Sequence, residues 1–562
     1  MNIKQLKSPL SFAQIVLYGA LFCVGLFHVY TACVVAAILL IGLTVRLCRV
    51  GSLRVVITRM GVALTVMMVF YALTALWGVS GGDALLGFFK FLPVVLYTLV
   101  LMQEEDGRER VLNGLPYVAA LMTVLSTVGM AVPALRDFVS VADRLGGFLQ
   151  YPNTFALLLL VAQLWLITKP CPRWMDYGCI AVLLAGILYS GSRTVLVLTV
   201  LANGVALLTN KNRRVRWITI GCIAGGAAAV GLYCLLTDNF EVLTRYLRFS
   251  LTESTFVGRF LYAYDALPVI LRHPFGLGYM GYYHLEQSIQ SGVYSVQAVH
   301  NDLLQIMLDV GWLPALLLLG AAVWFLLNRR VAWRYRGITA VMLAHACFDF
   351  DLQFAAVFML LATVVADTPI KEIALRRKGL FVTAATVLTV LSLYVGTAQG
   401  LGRFGKTEAA YAMYPISQTI AVNRLNELND TAEREALADE ILKRNPDVPM
   451  AYLHKAANAY AKGDFGQVIR HMDRVLDLAP FSTENYRQYA QWMRIGALLY
   501  RQAGSQTSAD ICNKKLVEVA RRLEALPTCL SPLGQQIKDQ PDTSLPDEIT
   551  EYLAQLEKEE TQ

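Results

Sequence analysis

The chain has 562 residues, 56% of them hydrophobic and 16% charged, with a mean hydropathy of +0.47, whereas a soluble domain carries roughly 25% charged and about 45–50% apolar residues. Repeated apolar runs of about 20 residues, long enough to cross a bilayer, exclude an ordinary cytosolic enzyme, a secreted domain and a disordered scaffold, and identify an integral membrane protein. The formal charge of +7 divides into +11 over residues 1–400 and −4 over 401–562. The basic excess therefore lies beside the membrane, where anionic headgroups and the positive-inside bias account for it, and no basic–aromatic alternation marks a nucleic-acid groove.

The N-terminal MNIKQLKSPLSFAQ runs into an apolar stretch without an A-x-A-like cleavage site, and reads as the start of a first span rather than a signal peptide. Apolar segments follow at 12–29, 30–47, 58–79, 84–102, 112–132, 152–168, 176–191, 193–209, 216–236, 302–327, 336–348, 352–368 and 379–398. Basic residues collect before the first (Lys4, Lys7) and after each even-numbered one: Arg46, Arg49, Arg54 and Arg59; Arg108 and Arg110; Lys169 and Arg173; Lys211, Arg213, Arg214 and Arg216; Arg329, Arg330, Arg334 and Arg336; Lys371, Arg376, Arg377 and Lys378. This alternation places the N-terminus and those loops in the cytoplasm and, with thirteen spans, the tail outside. The count turns on Phe348-Asp349-Phe350-Asp351, which divides two short segments; merging them gives twelve spans and breaks the alternation. The expected fold is all-α: a polytopic membrane domain over 1–400, then a soluble helical domain.

Three outward loops stand out: 133–151, the tight YSGSRT turn at 189–194, and the long stretch 237–301. A loop of that last length usually carries function, and its polar segment from 238 to 273 reads as helices at or above the interface. Eight cysteines (Cys23, Cys33, Cys48, Cys171, Cys179, Cys222, Cys234, Cys347) lie in or beside apolar spans as small hydrophobes, with no CxxC or Cys/His cluster. Cys512 and Cys529 could pair if the tail faces an oxidising compartment.

Residues 401–530 have ordinary soluble composition. Tyr452, Ala456, Gly463, Phe465, Val468, Val475 and Pro480 lie close to the tetratricopeptide pattern, and Pro446 precedes Pro480 by one repeat length. The flanking copies are degenerate, and an unrelated bundle of helical hairpins is the alternative. The Pro- and Glu-rich stretch 531–562 is expected to be loosely ordered, with room for one short helix.

The topology gathers Arg144, Asn153, Ser192, Arg193, Arg259, His273, His300, Asn301, Asp302, His345, Asp349 and Asp351 at the outer surface. Ionisable groups at the ends of apolar helices are costly, so each is a functional candidate, although a single Arg is more simply read as snorkelling to a headgroup. Arg193 resists that reading because it sits in a short outward turn, where the positive-inside bias should exclude it. With Arg144 and Arg259 it suggests an anion site such as one for a diphosphate, which guanidinium groups bind bidentately. His300 suits a general base, oriented by Asn301 and Asp302, the latter doubling as helix N-cap; taken alone it is better read as a structural histidine. His345 and Asp349, four residues apart, share a helix face and read equally as a structural hydrogen bond or as substrate contacts. Gly276, Gly278 and Gly281 spell GxGxxG without a preceding strand, and mark a flexible loop at most.

Five motifs in order, DRLGGFLQYPNTFA (143–156), YSGSRTVLVL (189–198), VGRFLYAYDALPVILRHPFGLGYMGYYH (257–284), VHNDLLQIMLDVGW (299–312) and HACFDFDLQF (345–354), resemble the O-antigen ligase and O-antigen polymerase superfamily over residues 140–370. The resemblance implies an inverting, metal-independent glycosyltransferase of GT-C type in the bacterial cytoplasmic membrane. Such an enzyme moves a glycan from undecaprenyl diphosphate on the outer leaflet to an acceptor hydroxyl and needs no cofactor. It implies Arg193 and Arg259 on the diphosphate and His300 as base, with Arg144 and Asn153 in a further motif. A diphosphate is already a good leaving group, so no DxD-like pair is required, and none is found in the outward loops. The acceptor is left open among lipid A core, a glycan chain, a protein hydroxyl and a wall polymer, and the tail could dock a protein partner. The chain-elongating polymerase of the same superfamily is the alternative. A polysaccharide or lipid transporter is a third reading, disfavoured because the polar residues gather at the surface and no repeat symmetry is visible.

Overall fold

The computed structural model describes residues 10–169, 172–209, 213–237, 240, 254–365 and 368–561. Lys4, Lys7, Cys171, Lys211 and most of 238–253, including the first half of the expected interfacial helices, lie outside the described residues. Each of the thirteen apolar segments falls on a helix or a helix pair. Among the described residues, five helices have the length and composition to cross a membrane by themselves: Val29–Val50, the run Arg59–Leu76, Gly81–Leu101, Gly107–Ala131 and Lys378–Arg403. Others are shorter, and the expected 302–327 span is broken at Gly311 into Asp302–Val310 and Trp312–Leu327. An all-α membrane fold is the result, with two small two-stranded pairings that the helical reading did not anticipate.

Two short helices form the centre. Pro152–Ile167 and Ala355–Val364 are buried almost all round, as expected of helices apolar on every face. Pro152 opens the first at N1, where its missing N–H costs nothing. The outer ends of these two helices carry much of the polar machinery described below.

Contacts sort the connections onto two faces. On one, Leu53–Ile57 pairs antiparallel with Lys371–Leu375, Arg54 forks onto Glu372 at 2.7 and 2.9 Å, and the Gln103 side-chain amide accepts from Arg54 N and donates to Arg54 O. Arg334 stacks 3.5 Å above Trp165 on the same face. These are the basic loops. At the far ends of the helices, Val79 N donates to Leu277 O at 2.9 Å, Phe22 meets Phe148, and Phe27 meets Phe354. Gly276 and Gly278 have φ of +81° and +84°, and a Cβ there would lie 2.5 Å from Asp309 O and 2.4 Å from Ala84 Cβ. The glycines thus let a tightly packed loop dock onto two helices, where the sequence suggested flexibility.

The soluble part is a stack of helices. Pro449–Ala461 and Phe465–Leu478 form one hairpin and Thr483–Gln502 and Gln506–Glu524 the next, turning at Gly463 and Gly504, whose φ values are +72° and +75°. The 531–562 stretch is more ordered than its composition suggests. Asp547–Thr561 is a helix that buries Ile549, Tyr552 and Leu556 against the stack, and Arg494 and Arg501 pair with Glu548 and Glu559. Its acidic character thus meets basic partners. Cys512 and Cys529 are both free thiols.

This stack is clamped to the membrane domain on the face opposite the basic loops. The buried Asp83 carboxylate accepts from the Ser417 hydroxyl, from Thr419 N at 3.0 Å and from Thr419 Oγ1 at 2.9 Å, and lies 2.8 Å from His284 Nε2. A Cβ on Gly82 would sit 2.1 Å from Ile416 O, so only glycine permits the approach. Further along, Ser531 N donates to Ser291 O at 2.9 Å. Asp83→Ala should leave these donors unsatisfied, at about 1–3 kcal/mol for each. The expected result is a lower Tm and faster proteolysis at the 404–406 turn; unchanged protection there would place the clamp elsewhere.

Candidate functional site

Asp349 organises the outer ends of the central helices. The Trp333–Ala346 helix stops short of it, and the chain turns through a short 3-10 helix at Asp351–Gln353 before entering Ala355–Val364. Within that turn Asp349 is fully buried. It accepts from Tyr151 OH and Asn153 Nδ2, both at 2.8 Å, from Phe350 N at 3.0 Å and from Arg259 Nη2 at 3.2 Å. Asn153 passes the chain on: its Oδ1 accepts from Arg144 Nη2 at 2.7 Å, while Arg144 Nε donates to Ser190 O at 2.8 Å. One relay therefore joins three distant segments, 144–153, 189–194 and 254–272.

Burial opposes ionisation of Asp349, but Arg259, the two nearby imidazoles and the Tyr151 hydroxyl outweigh it and hold the carboxyl below its usual range. The carboxylate thus fixes Arg259 while leaving the rest of that guanidinium available. Side-chain exposure of 18% for Arg259 against 1% for Asp349 is consistent with this division.

Arg144, Asn153, Arg193, Arg259 and His300 line one cavity of about 440 Å³, together with Ser192 and Tyr262. Arg193 opens the Arg193–Thr209 helix just after Gly191, which takes φ +63°. The cavity wall includes that first turn, so the positive end of a helix dipole adds to the guanidinium groups. The arrangement can bind a multiply charged anion.

His300 stands at the edge of this cavity, before the Asp302–Val310 helix. Its ring is held edge-on by Phe350 at 5.0 Å between centroids, with Tyr262 at 5.5 Å. Its Nδ1 has no hydrogen-bond partner among the described residues. Burial, aided by Arg259, pushes the imidazole below its ordinary value against the opposite pull of Asp349, so the ring is neutral at pH 7 and able to accept a proton.

Several expected relations are different. Asn301, not Asp302, is the N-cap, its Oδ1 accepting from Leu304 N at 3.0 Å while its Nδ2 donates to Cys347 O at 2.9 Å. Asp302 Oδ2 accepts from Leu352 N at 3.0 Å. Both side chains hold the 347–354 turn, and neither is hydrogen-bonded to His300 among the described residues. His345 and Asp349 do not share a helix face, because the helix ends between them. His345 Nδ1 instead lies 2.5 Å from Asp351 Oδ2, and Asp351 Oδ1 accepts from Thr154 at 2.7 Å. Asp349 and Asp351 do spell DxD, contrary to the sequence reading, but their carboxylates diverge onto separate protein donors. His273 is exposed at the end of the Ser254–Arg272 helix and lines no cavity described here. Sequence reasoning missed Tyr151, Thr154 and Tyr262. The first two lie inside the 143–156 motif and are polar or aromatic beside Asn153, a signal that only the position of Asp349 and Asp351 makes meaningful.

A second cavity, of about 250 Å³, lies on the other side of His300 and shares Tyr151 and His300 with the first.

His300 should titrate below 6.5 in ¹³C-histidine NMR of the full chain, and Asp349→Asn should move its midpoint lower still by removing the carboxylate that favours the imidazolium. A midpoint above 6.5, or an upward shift in the variant, would contradict the electrostatics described.

No curated protein matches this chain. Residues 178–319 match the family model described as O-Antigen ligase. That segment, about a quarter of the chain, contains Arg193, Arg259 and His300; the protein thus carries a region similar to the O-antigen ligases, glycosyltransferase-like enzymes of membranes.

Proposed function

We propose that the protein is an O-antigen ligase-type glycosyltransferase, moving a glycan from undecaprenyl diphosphate to an acceptor hydroxyl. The observation that carries this reading is the convergence of Arg144, Arg193, Arg259 and a neutral, half-buried His300 on one cavity, opposite the basic loops. By the positive-inside rule that face is extracytoplasmic, which puts the N-terminus in the cytoplasm and the helical stack outside. The stack fits a tetratricopeptide-like domain able to hold a protein partner.

In the proposed step, the acceptor oxygen attacks the anomeric carbon from the side opposite the diphosphate. Its proton passes to His300 as the new carbon–oxygen bond forms. The bond to the diphosphate oxygen breaks with its electron pair, and Arg193 and Arg259 stabilise the charge that develops there. Asp349 positions Arg259 through its hydrogen bond, and the Arg144–Asn153 relay ties that position to the 189–194 turn. Asn301 and Asp302 act through the backbone of the 347–354 turn, and His345 through the Asp351 carboxylate.

Purified protein supplied with an undecaprenyl-diphosphate glycan and candidate acceptors (lipid A core, glycan chains, peptides) should yield a new glycan–acceptor bond by mass spectrometry. Transfer to glycan chains alone would mark a polymerase. His300→Ala should lower kcat by about 10²–10⁴-fold with the protein still folded, and retained turnover would remove His300 as the base. Arg193→Lys should fail nearly as badly as Arg193→Ala, since an ammonium cannot reproduce the guanidinium fork; full activity in the Lys variant would reduce the role to simple charge. EDTA should not inhibit.

A further inference from the structure

The second cavity contains a charge that the reading so far leaves unused. Lys90 lies nine residues into the Gly81–Leu101 helix, about 13 Å along it at 1.5 Å per residue, and is only 2% exposed. Its Nζ donates to Tyr279 OH at 3.0 Å and lies 4.8 Å and 5.0 Å from the ring centres of Phe27 and Tyr279. No carboxylate lies within ion-pair distance among the described residues. The buried Asp309 accepts instead from Tyr71 and Gln305. An ammonium placed this deep is costly unless an anion completes its shell, and two of its three N–H groups have no protein acceptor described here.

The cavity that Lys90 lines opens outward beside the exposed Gln297 and ends on His300. His300 and Tyr151 form the partition between it and the arginine cavity. An inverting displacement needs the incoming hydroxyl and the leaving diphosphate on opposite sides of the reacting carbon. Two cavities meeting at one base supply that geometry, and aromatic walls suit the faces of a sugar.

We propose that the second cavity is the acceptor subsite and that Lys90 holds an oxyanion of the acceptor, a phosphate monoester or a carboxylate near the hydroxyl that is glycosylated. The inference rests on the transferase reading above. It makes the protein selective for acidic acceptors, with Lys90 setting that specificity and taking no proton in the reaction.

Glucose 6-phosphate, glucuronate and glucose can be titrated into the full chain in nanodiscs by saturation-transfer NMR. Wild type should bind at least one of the acidic sugars tenfold or more tightly than glucose, and the stronger of the two identifies the oxyanion. Lys90→Met should erase that difference without weakening glucose, and Lys90→Arg should restore most of it. Binding of anions to the arginine cavity is common to all three proteins and cancels in the comparison. Lys90→Met should also raise Tm, since it removes a buried charge; if it fails to fold, Lys90→Gln carries the same comparison. Equal binding of acidic sugars by wild type and the Lys90 variants overturns the inference.

In transfer assays with a phosphorylated acceptor, Lys90→Met should raise the acceptor KM tenfold or more while the donor KM holds. Lys90-dependent binding without transfer by wild type leaves the subsite standing and removes the transferase reading. Transfer with an unchanged acceptor KM in Lys90→Met does the reverse.

Discussion

A carboxylate buried at the end of an apolar helix bundle must find enough donors to offset its lost hydration, and at Asp349 that requirement draws the outer ends of the bundle together. Tyr151 and Asn153 come from the start of one central helix, Arg259 from a helix of the long outward loop, and Phe350 N from the turn itself. None of these groups could leave without exposing a buried charge to apolar surroundings. The 347–354 turn is then secured from two other sides, by Asn301 on Cys347 O and by Asp302 on Leu352 N. Position at the candidate site follows from this set of bonds rather than from any single side chain.

The two short central helices make that arrangement possible. Pro152–Ile167 and Ala355–Val364 are buried on nearly every face, and the arginine cavity and the Lys90 cavity meet at Tyr151 and His300. The helical stack is anchored to the same domain at Asp83 and again at Ser291. The arginine cavity, the second cavity and the attachment of the helical stack thus share one face, while the basic loops and the strand pairing of Leu53–Ile57 with Lys371–Leu375 occupy the other.

Much of this was legible before the fold. Apolar runs marked the helices because a bilayer and a core impose the same demand on composition, and the sorting of basic loops anticipated the two faces. Arg144, Asn153, Arg193, Arg259 and His300 were recognisable because charge at the outer end of an apolar segment is expensive and needs a reason. Legibility ended where the partner was distant in sequence. The i,i+4 spacing of His345 and Asp349 suggested a pair, yet the helix ended between them and Asp351 took the histidine. Composition likewise misled at 531–562, whose acidic residues meet arginines of the neighbouring helix.

By itself, the sequence determined that this is a helical membrane protein with polar residues at the ends of its apolar segments and a less apolar C-terminal extension, because hydropathy and charge act locally along the chain. Only the tertiary structure decided which donors satisfy Asp349 and that His300 divides two cavities. It alone left Lys90 buried with no carboxylate within ion-pair distance among the described residues, since the solvation of a buried charge depends on groups that folding brings from far away in the sequence.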